Sequence, residues 1–214
     1  MIKNVELTKA NTEQLKDFWD RCKLSNGKIN ILVHPFYSEN ITKKSNRRYV
    51  TKNYLKKRDT YINELLESDT PLILFQQASD YKDLLDRIST LGGGHTIFTV
   101  KTKDGEETPL RGRKEWNKIV DILQNGGVNL VTVSGLYLVY EPIKKALKEF
   151  DIKYDKEKIQ LDFIANIPEY LEKFPIAKEW LAKKLVPTGC VGYTVMNLLR
   201  YGFDVSIGEL TAPD

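Results

Sequence analysis

The chain has 214 residues, of which 41% are hydrophobic and 29% are charged, and its formal net charge is +4. This length and composition suit one globular domain over residues 1–214, and no apolar run approaches the roughly 20 residues that a membrane helix needs. The N-terminus lacks the apolar core of a signal peptide, and two cysteines cannot build a disulfide framework, so we expect a cytoplasmic protein.

Apolar runs and helical patterns alternate along most of the chain. In chain order they predict a helix at about 12–24, a strand at 29–33, a helix at 54–68, a strand at 71–75, a helix at 80–91, a strand at 96–100, a helix at 116–125, a strand at 129–133, a helix from Cys190 and a strand at 203–207. This alternation predicts an α/β fold, a three-layer Rossmann-like domain with a mostly parallel sheet of about five or six strands. The stretch 140–187 breaks the rhythm and predicts a helical insertion or cap.

Positive charge concentrates at residues 43–58, where lysines and arginines occur without an acid. Tyr49 and Tyr54 interleave with these charges, as on a nucleic-acid or phosphate-binding surface. The alternative is a solvated helix face with a basic lead-in. The small net charge and the lack of a recognised nucleic-acid module place nucleic acid behind a small molecule as the expected partner.

Three side chains suited to nucleophilic catalysis lie at the carboxyl ends of predicted strands, where the ligand sites of open parallel sheets are found. His34 follows the first strand, Lys101 follows the third, and Cys190 opens the helix before the last strand. A thiol at a helix N-terminus is favoured as thiolate by the helix dipole and unpaired N–H groups, which could also hold an oxyanion. His34 would be the base, and Lys101 would lower the thiol pKa or bind an anionic substrate.

Each candidate also has a structural interpretation. Cys190 could be a small buried hydrophobe, His34 a hydrogen-bonded loop histidine, and Lys101 a solvated lysine at a strand end. Cys22 lies on the apolar stripe of the first helix, so core packing is predicted for it. The residues predicted to bind substrate, from their positions near these side chains, are Tyr37, Ser134, Gly135, Thr188, Gly189 and Val191. The glycine after Ser134 permits close approach of backbone or ligand.

No metal or other cofactor is expected. The two cysteines and two histidines lie far apart in the sequence, which does not favour a zinc site. The triple glycine at 92–94 precedes a strand, whereas a phosphate-binding loop follows a strand and opens a helix.

Gly135 after an apolar strand, Cys190-Val191 followed by Thr194, and Gly202 before a closing strand resemble the isochorismatase-like cysteine hydrolases. In that family a strand ends in glycine, a Cys-Val opens a helix with a threonine three residues after the valine, and a glycine ends the helix. The resemblance covers the α/β core and is absent over residues 1–28 and 140–187. It implies hydrolysis of a small amide or ester-like substrate, and a homo-oligomer, since relatives are often oligomers.

The family's catalytic set is an aspartate after the first strand, a lysine beyond the third strand, and the cysteine. By position Lys101 and Cys190 match, and the aspartate falls at His34. The family's first strand typically ends in Asp-x-Gln, whereas here the sequence reads His34-Pro35-Phe36, and a long insertion precedes Cys190. The lost aspartate leaves three outcomes: histidine is the base, another group substitutes, or catalysis is lost and a binding pocket remains.

Three functional hypotheses follow. The first is a cysteine-dependent hydrolase that uses Cys190. The second is a catalytically silent α/β protein that binds a small anionic or nucleotide-like ligand, with charge from Lys101 and the basic segment. The third is a nucleic-acid contact through that segment, whose affinity would fall steeply with salt.

Overall fold

A six-stranded parallel sheet forms the centre of the molecule. The computed structural model describes residues 4–36, 52–90, 96–103, 109–135, 139–142 and 185–210. The strands are β1 (Asn4–Glu6), β2 (Lys28–Val33), β3 (Leu72–Gln77), β4 (Ile97–Thr102), β5 (Leu130–Gly135), β6 (Val139–Pro142), β7 (Leu185–Thr188) and β8 (Asp204–Ile207). The α-helices are α1 (Thr12–Leu24), α2 (Lys52–Glu67), α3 (Tyr81–Thr90), α4 (Arg113–Asn125) and α5 (Gly189–Arg200).

The order of strands in the sheet is β1-β4-β3-β2-β5-β8, and all neighbours pair in parallel. From β2 the chain proceeds outward through β3 to β4, and α4 then carries it back across the sheet to β5 on the other side of β2. The direction of winding therefore reverses between β2 and β5. Ligands of open α/β sheets bind outside the carboxyl ends of the strands at such a switch point.

Helices cover both faces of the sheet, which confirms the predicted three-layer α/β architecture. Successive side chains of a strand point to opposite faces. In β3, Ile73 and Phe75 belong to the apolar cluster formed with α1, α4 and α5, whereas Leu72 and Leu74 belong to the cluster formed with α2 and α3. We call these the α5 face and the α2 face.

Side chains of α1 and its N-cap explain where the helix begins and which neighbouring segments it holds in place. Asn11 and Gln14 form a capping box, in which each side chain accepts a hydrogen bond from the other's backbone N–H. Near the other end of α1, the Arg21 guanidinium donates to the carbonyl of Thr96 at 3.1 Å and to that of Thr70 at 3.5 Å. One side chain thus ties the segments that lead into β3 and β4.

Two elements differ from the sequence prediction or extend it. The short strand β1 was not predicted, and it adds to the sheet beside β4. Strands β6 and β7 pair with each other in an antiparallel ribbon, from Val139 opposite Thr188 to Pro142 opposite Leu185. They bracket most of the predicted insertion, whose interior, 143–184, lies outside the described residues. Within the described ranges, no helix is long and apolar enough to cross a membrane.

Candidate functional site

The candidate site lies at the carboxyl edge of the sheet, where all six parallel strands end. His34 follows β2 directly, Lys101 is the last residue but one of β4, and Ser134 and Gly135 complete β5. Helix α5 ends shortly before β8 begins, so it runs from the carboxyl edge to the amino edge. Its first turn, with Cys190, therefore lies at the carboxyl edge, as predicted.

The two cysteines occupy different environments. Cys22 is fully buried in the cluster on the α5 face, and this burial raises the pKa of its thiol to about 12. Its predicted role in core packing is confirmed. Cys190 is the second residue of α5 and is only partly buried, packing against the rim of the same cluster. A thiol in the first turn of a helix and partly exposed to solvent is placed where reactive cysteines are found.

The residues around Cys190 shape the start of α5. Gly189 has φ +75°, a conformation that a side chain would disfavour, and it directs the chain from β7 into the helix. The side chain of Val191 is buried in the core, so only its backbone faces the turn. The Thr194 hydroxyl donates to the Cys190 carbonyl at 2.9 Å. The threonine that the resemblance singled out therefore bonds within its own helix.

His34 is buried and hydrogen-bonded. Its φ is +50°, and its backbone N–H donates to the Phe75 carbonyl at 2.7 Å. Its Nε2 lies 2.9 Å from Thr102 Oγ1, and the ring has no exposed surface. Burial lowers the pKa of the imidazole to about 4, so the ring is neutral near pH 7. These contacts match the hydrogen-bonded histidine that the sequence left as the alternative.

Lys101 lies on the face of the sheet opposite to α5. Its Nζ is 4.3 Å from the centre of the Tyr81 ring, in the first turn of α3, and 3.7 Å from Glu6 Oε2. Helix α5 packs against β2, β5 and β8, and three strand spacings of about 4.8 Å separate β4 from β5. Because strand side chains alternate between faces, the structure does not bring Lys101 to Cys190.

The end of β5 is closed by the chain itself. Ser134 Oγ lies 3.0 Å from the hydroxyl of Tyr61 in α2, and Ser134 is buried. Gly135 has φ +134°, and a Cβ there would lie 2.1 Å from the Val33 carbonyl oxygen. Its N–H donates to the Leu210 carbonyl at 2.6 Å. The close approach predicted at this glycine is therefore made by neighbouring backbone.

Two further residues predicted to bind substrate are placed only in part. The backbone of Thr188 pairs with Val139 in the β6–β7 ribbon, next to the first turn of α5. Tyr37 lies outside the described residues.

Most of the basic segment also lies outside them. Lys56 and Lys57 are exposed on α2, as a solvated helix face requires. Arg58 is buried instead: its guanidinium donates to the Pro35 carbonyl at 3.3 Å and to Asp59 Oδ1 at 2.7 Å, and lies over the Phe36 ring. This arginine fixes the loop after β2 and is not part of a solvated surface.

Gln76 is a polar residue at the carboxyl edge that the sequence reasoning missed. It lies fully buried in β3, directly beside Lys101 in the strand register. The one signal available was the pair Gln76-Gln77, which directly follows a continuous apolar run.

Comparison of the chain with protein-family models, with curated proteins and with solved structures found no match. Among the described residues, no three His, Cys, Asp or Glu side chains are grouped so as to hold a metal ion. The family resemblance and the homo-oligomer therefore stay predictions.

Proposed function

We propose that the protein binds a small anionic ligand at the carboxyl edge of its sheet, between the ends of β2 and β5 and the first turn of α5. The observation that carries this proposal is the meeting of the topological switch point with a helix N-terminus. The first N–H groups of a helix lack intrahelical acceptors, and the helix dipole favours negative charge beside them.

The chain after β8 closes one side of the proposed site. Leu210 packs into the cluster on the α2 face, and Gly208 lies so close to Ser134 that a Cβ on the glycine would be 2.0 Å from the serine hydroxyl. The chain after β8 therefore covers the α2 side of the edge. The ligand would enter from the α5 side, against the backbone of Gly189 to Val191.

Binding without catalysis is favoured over hydrolysis by the contacts that two of the three predicted catalytic residues make. The neutral His34 is engaged with Thr102, and Lys101 is on the other face of the sheet. The cation that Lys101 was predicted to supply to a thiolate at Cys190 is therefore directed to the opposite face.

The test compares two substitutions at one position. Cys190→Ala removes the thiol and keeps the N–H, whereas Cys190→Pro also removes the N–H, at a position in the first turn where proline is tolerated. Inorganic phosphate and adenosine monophosphate are titrated at constant ionic strength while the melting temperature is measured. We expect stabilisation of the wild type and of Cys190→Ala, and a clear loss in Cys190→Pro. Equal stabilisation of all three proteins would refute this site.

A cysteine-dependent hydrolase, a divergent relative of the isochorismatase-like enzymes, is the second candidate. The partial exposure of Cys190 in the first turn of α5 favours it. The thiolate would attack the carbonyl carbon of a small amide or ester, and the first-turn N–H groups would hold the oxyanion. The amine or alcohol would leave with a proton, and water would then hydrolyse the thioester to the acid and the free thiol.

This candidate is tested by the pH dependence of Cys190 alkylation with iodoacetamide in a Cys22→Ser background. An apparent pKa well below about 8.5, raised again in His34→Ala, would support an activated thiol. An ordinary pKa that is unchanged by the substitution would leave anion binding as the sole proposal.

A further inference from the structure

A buried amide donor lies at the carboxyl edge, on the face of the sheet away from Cys190. Gln76 has no exposed surface, and its Oε1 accepts a hydrogen bond from the backbone N–H of Phe36 at 3.4 Å. That donor fixes the orientation of the amide, because the reversed group would set two N–H donors against each other. Within the part of the chain that the structure describes, Gln76 Nε2 has no hydrogen-bond partner.

An unsatisfied buried N–H is costly, and nearly all such groups in proteins have a partner. A leucine at this position would fill a similar volume without that cost. The presence of a glutamine here is therefore explained if an oxygen atom of a bound ligand accepts a hydrogen bond from Nε2.

A cation lies beside this donor. Gln76 and Lys101 are register partners on neighbouring parallel strands, so their side chains leave the sheet on the same face. The Lys101 side chain is 30% exposed, and its Nζ lies over the Tyr81 ring. The Tyr81 hydroxyl is held at 2.6 Å from Thr99 Oγ1, which fixes the ring under the ammonium group.

The other charges nearby limit the charge of the ligand. Glu6 Oε2 lies 3.7 Å from Lys101 Nζ and 3.0 Å from Lys9 Nζ, and Arg58 is held by Asp59. Glu6 offsets part of the positive charge, so this surrounding suits a group of one negative charge better than a phosphate dianion.

We propose that Gln76 and Lys101 form a binding site for the carboxylate of a small molecule. One carboxylate oxygen accepts from Gln76 Nε2 and the other from Lys101 Nζ. Since Nε2 is covered in the unliganded chain, a neighbouring side chain shifts as the carboxylate enters. This site goes beyond the one proposed at α5 and does not depend on it.

The experiment follows the Gln76 side-chain amide by ¹⁵N NMR during titration with sodium acetate, with sodium chloride and sodium phosphate at matched ionic strength. The amide signals are assigned from their loss in Gln76→Leu. We expect a saturable shift of these signals with acetate, a much weaker response to phosphate and none to chloride. Lys101→Met, which keeps the side-chain stem, should weaken acetate binding by about tenfold or more.

Gln77 offers a matched control, because it is the neighbouring glutamine of the same strand on the opposite face. Gln76→Leu should melt at the wild-type temperature or above it without ligand, whereas Gln77→Leu should leave acetate binding unchanged because Gln77 lies on the opposite face. The site is overturned if acetate and chloride act alike, or if Lys101→Met binds acetate as the wild type does. The anion site at α5 is tested separately by Cys190→Pro, so either proposal can fail while the other holds.

Discussion

Burial of His34 predicts that the fold loses stability as the pH falls toward 4. The pKa of the imidazole is about 4 in the folded protein, against its ordinary value of 6.5 in the unfolded chain. Between these values the unfolded chain binds more protons than the folded one. The free energy of unfolding therefore rises with pH across this window. The contribution of the neutral His34 to stability is fully present above pH 6.5 and is lost as the pH falls from 6.5 to about 4.

The size of the effect follows from the difference between the two pKa values. At 1.36 kcal/mol for each pH unit, the full loss is about 3 kcal/mol, and at pH 4.5 it is about 2.5 kcal/mol. His34 has no exposed surface, so solvent screening does not reduce this figure. A loss of that size is a large share of the stability of an ordinary domain.

The assay is urea unfolding of wild type and His34→Asn at pH 7.0 and 4.5. Asparagine does not titrate, and it tolerates the positive φ at this position. Carboxylates titrate equally in both proteins, so the difference between their free energies of unfolding isolates the histidine. We expect the wild type to lose about 2.5 kcal/mol more than the variant on acidification. A difference that does not change with pH would refute the assignment of a buried, neutral imidazole.

Three other predictions follow from contacts described above. Gly135→Ala should lower the free energy of unfolding by about 3 kcal/mol, because its Cβ meets a backbone carbonyl that cannot move away; wild-type stability in urea would contradict the close approach. Arg21→Met should cost about 1–3 kcal/mol, since two carbonyls lose their donor, whereas the exposed Lys23→Met should change stability by less than about 0.5 kcal/mol. Mass spectrometry after iodoacetamide treatment should find Cys190 modified in the native protein and Cys22 only after unfolding; early labelling of Cys22 would contradict its burial.

The layered α/β core could be predicted because its signals are local. Each run of apolar, β-branched residues at 29–33 or 129–133 is long enough to identify a strand, and the helical stripes between them fix the order of elements. Strand β1 has only three residues, and its one buried side chain, Val5, carries no periodic pattern. Its pairing with β4 is a contact between distant parts of the chain.

The sequence could predict at which end of the strands the candidate residues lie, but not on which face of the sheet. The sequence placed His34, Lys101 and Cys190 at the carboxyl edge, and the structure agrees. The sequence did not assign Lys101 to a face of the sheet, because the face depends on which helices pack above and below the sheet. The hydrogen bond that orients the Gln76 amide comes from Phe36, forty residues earlier in the chain, and no local pattern encodes it.

The antiparallel ribbon of β6 and β7 has a consequence for how this chain tolerates changes of length. Pro142 and Leu185 face each other as register partners, so the chain departs from the sheet and comes back at one point. A two-residue turn could join paired strand ends of this kind. The register of these ends therefore does not require a particular number of residues between them. The ribbon is therefore a grafting point, at which evolution or an engineer can change the length of the intervening chain while the paired strand ends keep their register.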